Sequence, residues 1–98
     1  MLIRIVKMTF KKEEVENFLN LFHTNKNKIR NFEGCQHLEL YQDQKNPCLF
    51  FTYSFWESEK KLNNYRNSDL FADVWKNTKV KFSQRPEAWS VNQLVELK

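Results

Sequence analysis

No apolar run in this 98-residue chain approaches the roughly 20 residues that a membrane-spanning helix needs. The N-terminal MLIRIVKMTF carries charges inside its apolar pattern, so it reads as a strand and not as a signal peptide. Cysteine is scarce. Cys35 and Cys48 have no CxxC spacing and no His/Cys cluster around them. Two cysteines on neighbouring strands are able to pair, but without an export signal we read them as reduced, buried thiols. These absences together lead us to expect a cytoplasmic protein without a membrane partner. Ser54 lacks a Gly-x-Ser-x-Gly context, so nothing suggests nucleophilic hydrolysis.

The net charge of +4 invites a nucleic-acid reading, but its distribution opposes one. Glu13, Glu14 and Glu16 open a first helical segment, and Lys26, Lys28 and Arg30 close it. Lys76, Lys79 and Lys81 close a second. That is how charges complement helix dipoles. A phosphate-binding face would gather basic residues with exposed aromatics or a groove-reading helix. We therefore expect no nucleic-acid partner.

The chain also holds one glycine and two prolines, and its mean hydropathy is −0.73, yet 15% of its residues are aromatic. A few large rings must supply the apolar burial, each removing roughly 150–250 Å² from water. The stretch from Phe50 to Phe82 concentrates them, with two of three tryptophans, two of three tyrosines and five of nine phenylalanines.

Residues 2–9 alternate with apolar residues in both sets, which predicts a strand with cover on both faces. Val15, Phe18, Leu19, Phe22 and Ile29 then mark an amphipathic helix from about Lys12 to Arg30, with His23 on its polar side. Gly34 stands where that helix must turn into the next strand. Residues 34–43 alternate again, placing Cys35, His37, Glu39 and Tyr41 on one face and Gln36, Leu38 and Leu40 on the other. After a turn at Asp43 to Pro47, CLFFTYSFW (48–56) is a continuous apolar run, hence a strand buried on both faces. Ser58 can cap the next helix, which breaks at Asn67-Ser68-Asp69. Ser68 then caps a second piece with Leu70, Phe71, Val74, Trp75, Thr78 and Phe82 on one side. Pro86 ends the connection, and residues 88–97 complete the chain as a last strand.

The expected class is α+β: one domain over residues 1–98, in the ferredoxin-like β-α-β-β-α-β order, with an antiparallel sheet and helices on one face. No further helix exists to cover the other face. A second copy of the sheet is the simplest cover, so we expect a homodimer.

The chain resembles the antibiotic-biosynthesis-monooxygenase family across nearly its whole length, including its quinol-monooxygenase-like members. The resemblance rests on Phe32-x-Gly34-Cys35, on TYSFWES (52–58), and on LNNYRNSDLF (62–71) with Trp75 one turn on. It implies a dimeric α+β barrel, with two sheets back to back and a pocket between each subunit's sheet and helices. It also implies oxygenation of phenols or quinols by dioxygen without metal or organic cofactor. The haem-degrading branch resembles the chain through Trp56. The position of its axial histidine falls on Trp75, however, and that of its first-strand asparagine falls on Val6. Indole cannot serve as that ligand, which argues against haem degradation.

Cofactor-free oxygenation of a phenol needs a base to form the phenolate and a dry aromatic pocket to hold the ring. His37 is the best base by type, with Glu39 on the same expected face to orient it. Trp56, Tyr65, Trp75, Phe82 and Trp89 are the candidate walls. Arg66 and Tyr53 are candidates to hydrogen-bond a substrate oxygen. Each has a plainer reading as well. His37 fits as an ordinary sheet residue, Trp75 as filler of space that relatives use, and Arg66 as the partner of Asp69 or Glu59. The functions in contention are thus a monooxygenase for a small aromatic substrate, a non-catalytic dimer binding a hydrophobic ligand, and a haem protein.

Overall fold

A computed structural model describes all 98 residues. The elements run β1 (Leu2–Thr9), a single 3-10 turn (Lys12–Glu14), α1 (Val15–Arg30), β2 (Cys35–Gln42), β3 (Leu49–Trp56), α2 (Glu59–Arg66), α3 (Asp69–Lys79) and β4 (Glu87–Asn92). The strands form one antiparallel sheet in the order β2-β3-β1-β4, the ferredoxin-like arrangement that the element order predicts. No helix is long and apolar enough to cross a membrane.

Local chemistry sets the helix ends. The Ser58 hydroxyl accepts the Lys61 amide at 3.2 Å, and the Ser68 hydroxyl accepts the Phe71 amide at 3.1 Å, so each serine caps its own helix. The Ser68 hydroxyl also donates to the Tyr65 carbonyl, which ties the end of α2 to the start of α3. At Gly34 the chain adopts φ +94°, a left-handed conformation suited to glycine.

All three helices cover one face of the sheet, in two packed clusters. Ile29, Cys35, Trp56, Leu62 and Tyr65 join α1 and α2 to one end, and Met8, Phe10, Phe18 and Phe50 join α1 to the other. Trp56, Phe10 and Phe50 are each only 1% exposed, so a few rings do carry the burial. The opposite face carries Ile5, Tyr53, Phe55 and Trp89 and has no helix over it.

Two expectations from the strand patterns need correction. Cys35 and His37 do not share a face. A β-bulge pairs Cys35 with Trp56 and His37 with Phe55, and the extra residue reverses the alternation. Cys35, Leu38 and Leu40 therefore face the helices, whereas His37, Glu39 and Tyr41 lie on the open face. The last strand is also shorter than residues 88–97 suggest. Its ladder ends where Leu2, the first residue of β1, pairs with Asn92. Leu94, Val95 and Leu97 follow it outside any strand, strongly exposed.

Candidate functional site

Between the two packed clusters, under the helices, lies a cavity of about 330 Å³. That is at the small end of the range of ligand pockets, roughly 300–1,000 Å³. Its floor comes from the inward positions of the central strands, Arg4, Val6 and Met8 of β1 and Thr52, Ser54 and Trp56 of β3. Its roof comes from successive turns of α2 and α3, including Tyr65, Phe71, Val74 and Trp75.

The roof is a chain of touching rings. Trp56 stacks on Tyr65 at 5.0 Å between centroids, and Tyr65 meets Phe71 edge-on at 5.2 Å. Phe71 stacks on Trp75 at 5.9 Å, and Trp75 leans on Phe82 at 5.6 Å. Such offset and edge contacts are the preferred aromatic geometries, so the rings hold each other in place. Trp56 is fixed further by its indole N–H, which donates to the Ser54 hydroxyl at 3.0 Å. Burial pushes the pKa of the Tyr65 phenol up, so near neutrality it is a protonated donor.

Of the predicted site residues, Trp56, Tyr65, Arg66 and Trp75 line this cavity together. Trp75 walls the space and does not fill it. Phe82 supports Trp75 from behind and bridges to Phe10, outside the lining. His37, Tyr53 and Trp89 are elsewhere. His37 and Tyr53 flank Phe55 and Glu39 on the open face, and Trp89 pairs with Ile5 there, 44% exposed. The bulge accounts for His37. For Tyr53 and Trp89 the cause is parity, since they alternate with the inward Ser54 and Ala88.

His37 is nevertheless part of a polar cluster. Its Nε2 lies 3.2 Å from a Glu39 carboxylate oxygen, and the Tyr41 hydroxyl donates to the other. The Tyr41 hydrogen bond, then that from His37, holds the Glu39 pKa below its usual value. This is the orienting contact that the spacing suggested, but it is on the far side of the sheet from the cavity.

Among the lining residues that are not candidate walls, Phe71 and Arg4 matter most. Phe71 is on the inward side of its helix, as the spacing predicts, and joins the roof. Arg4 carries its own signal in the sequence: it stands in the inward set with Leu2, Val6 and Met8, where an unpaired charge is unexpected. The Arg4 guanidinium donates to the Ser90 hydroxyl at 3.0 Å. Burial first, and then the positive charge of Arg66, lower its pKa. Arg66, at the exposed rim, forms no ion pair with Asp69 or Glu59. The ion pairs of the chain are His37–Glu39 and Lys61–Glu33.

The lining lacks the histidine that serves the haem-degrading branch as axial ligand. The two histidines, His23 on the exposed side of α1 and His37 on the open face, are both outside it, so no imidazole is available as an axial ligand. Val6 and Trp75, the positions matched to the haem-degrading branch's polar groups, both present apolar surface to the cavity. No group of three or more His, Cys, Asp or Glu side chains is placed to hold a metal ion.

The family model described as antibiotic biosynthesis monooxygenase matches residues 1–77, which include every element except β4 and the last residues of α3. The chain belongs to this family. Solved structures share its fold over nearly the full length. One is an antibiotic biosynthesis monooxygenase, with TM-score 0.90 and 21% identity, covering 97% of this chain and 100% of its own. Another is a conserved protein from Methanosarcina mazei Go1, with TM-score 0.88 and 26% identity, covering 95% and 93% respectively. A third is Rv0793 from Mycobacterium tuberculosis, with TM-score 0.89 and 13% identity, covering 99% and 98%. Among curated proteins, no relative matches the sequence.

Proposed function

We propose that the chain is a monooxygenase that takes a planar phenol or quinol into the cavity under α2 and α3 and oxidises it with dioxygen. The observation that carries this reading is the aromatic roof over a cavity whose only cationic groups are Arg4 and Arg66. With no imidazole in the lining, the reading assigns phenol activation to electrostatics. An adjacent guanidinium favours the ionised form of a bound phenol, and the electron-rich phenolate is the species that gives an electron to dioxygen. For an anthrone-type substrate the balance is complete. A ring methylene becomes a carbonyl, one oxygen atom enters the product, and the other leaves as water with the two methylene hydrogens. The substrate supplies all four electrons, so no external reductant enters.

The open face supports a second element of the reading, a homodimer formed through Tyr53, Phe55 and Trp89. A partner sheet would cover Trp89, which is exposed, and complete the burial of the partly exposed Tyr53 and Phe55.

Oxygen uptake with a panel of hydroquinones and anthrones tests the activity. We expect uptake above buffer with stoichiometric quinone, strongly reduced in Trp75→Ala. No uptake with any member overturns it. The lack of an imidazole in the cavity favours a second reading, in which the chain binds such molecules without converting them. Saturable binding without uptake is the result that selects it.

A further inference from the structure

We infer that the cavity recognises an aromatic carboxylate, held by Arg4 and Arg66 against the aromatic roof. The inference rests on the cavity assigned above as the substrate site, but not on the chemistry that follows binding. Its basis is an imbalance of charge. Arg4 points inward from β1, one of the two central strands of the sheet, half-buried beneath the helices, and Arg66 reaches the same space from the end of α2.

Neither has an ionic partner. The single carboxylate in the lining, Glu87, is at an exposed position of β4 and pairs with neither arginine. The one hydrogen bond that Arg4 makes to another side chain goes to a neutral hydroxyl, that of Ser90. A guanidinium has five N–H donors and cannot shed its proton, so most of its hydrogen-bonding capacity is uncommitted.

Two like charges sharing a mainly apolar enclosure oppose each other, and burial adds to the cost. The lowered pKa of Arg4 reflects both causes. A protein that needed only a hydrophobic pocket would do better with an apolar residue at position 4, matching Leu2, Val6 and Met8. An incoming carboxylate removes the imbalance, because its two oxygens match guanidinium donors in a planar, charge-assisted geometry. The surrounding rings then select a flat hydrocarbon body. A hydroxyaryl carboxylate would satisfy the cations and the rings at once, with its phenol next to the same positive charge.

Calorimetric titration with 2-naphthoate and its neutral counterpart 2-naphthamide tests this directly. We expect the carboxylate to bind about tenfold more tightly or better, as a charge-assisted pair allows. Arg66→Gln, at an exposed rim where folding is little affected, should cut that preference. Arg4→Gln combined with Arg66→Gln should abolish it, while Arg4→Lys retains part. Equal affinities in the wild type, no binding of either compound, or a preference that survives Arg66→Gln and the double variant overturns the inference. Naphthoate preference without oxygen uptake on the phenol panel would defeat only the oxygenase reading. Uptake without the preference would defeat only this one.

Discussion

Cys35 and His37, two positions apart on one strand, lie on opposite faces of the sheet. The bulge between them gives Cys35 to the packed cluster around Trp56 and sends His37 to the open face beside Phe55. Functionally, this separates the one well-oriented imidazole from the cavity.

His37→Ala should accordingly leave oxygen uptake and cavity-ligand affinity within about twofold of wild type, the usual range for a surface change. Steady-state uptake and calorimetry on the variant check this. A loss of an order of magnitude or more would place His37 in the reaction after all.

On the same face, an ionised side chain in place of a ring should oppose association of two sheets. Phe55→Asp should shift the protein toward monomer in sedimentation velocity at micromolar concentration, because it would bury an unpaired carboxylate in the proposed interface. Unchanged sedimentation, or a wild type that is already monomeric, would rule out pairing through this face.

Trp56 is the central ring of the site and of the fold. It is 1% exposed, stacks on Tyr65 and donates to Ser54. Trp56→Ala should cost about 3–5 kcal/mol, through lost burial and the void left behind. Trp56→Phe should cost less, since a ring remains while the hydrogen bond to Ser54 is lost. Urea denaturation of the two variants gives the comparison.

Gly34 joins two constraints. Its φ of +94° is unfavourable for any residue with a Cβ, and a Cβ there would overlap the side-chain stem of Lys61 on α2. The turn is held there by the Glu57 amide, which donates to the Gly34 carbonyl at 2.8 Å. Gly34→Ala should cost at least about 1–2 kcal/mol from backbone conformation alone, plus the displacement of Lys61. A stability change near zero in chemical denaturation would mean that the α1–β2 turn relaxes freely.

What could be read from the sequence followed the range of the signal. The caps at Ser58 and Ser68, and the inward positions of Tyr65 and Trp75, depend on residues within one or two helical turns, so local spacing revealed them. The face of His37 depends on a bulge, a choice made by the pairing of β2 with β3 and invisible in either strand alone. The end of β4 depends on where β1 begins, about ninety positions away in sequence. Arg4 was legible in principle. Its meaning required knowing that no carboxylate comes to meet it, and that is a fact of tertiary structure.

The alkaline limb of stability should report the burial of Tyr65. Burial is the main cause of its raised pKa, so the folded state keeps the phenol protonated after the unfolded chain has begun to release that proton. Below the unfolded value, about 10, the two states carry the same proton and Tyr65 adds no pH dependence. Above it the unfolded state binds fewer protons, so folding stability falls as pH rises toward the folded-state pKa. Tyr65→Phe removes this term. It should flatten the decline in urea midpoint above about pH 10 relative to wild type, even if its stability at neutral pH is altered. Ultraviolet titration should show Tyr65 ionising only as the protein unfolds. A Tyr65→Phe variant with the same alkaline slope as wild type would show that this phenol is solvated, and that the roof of the cavity is open to water.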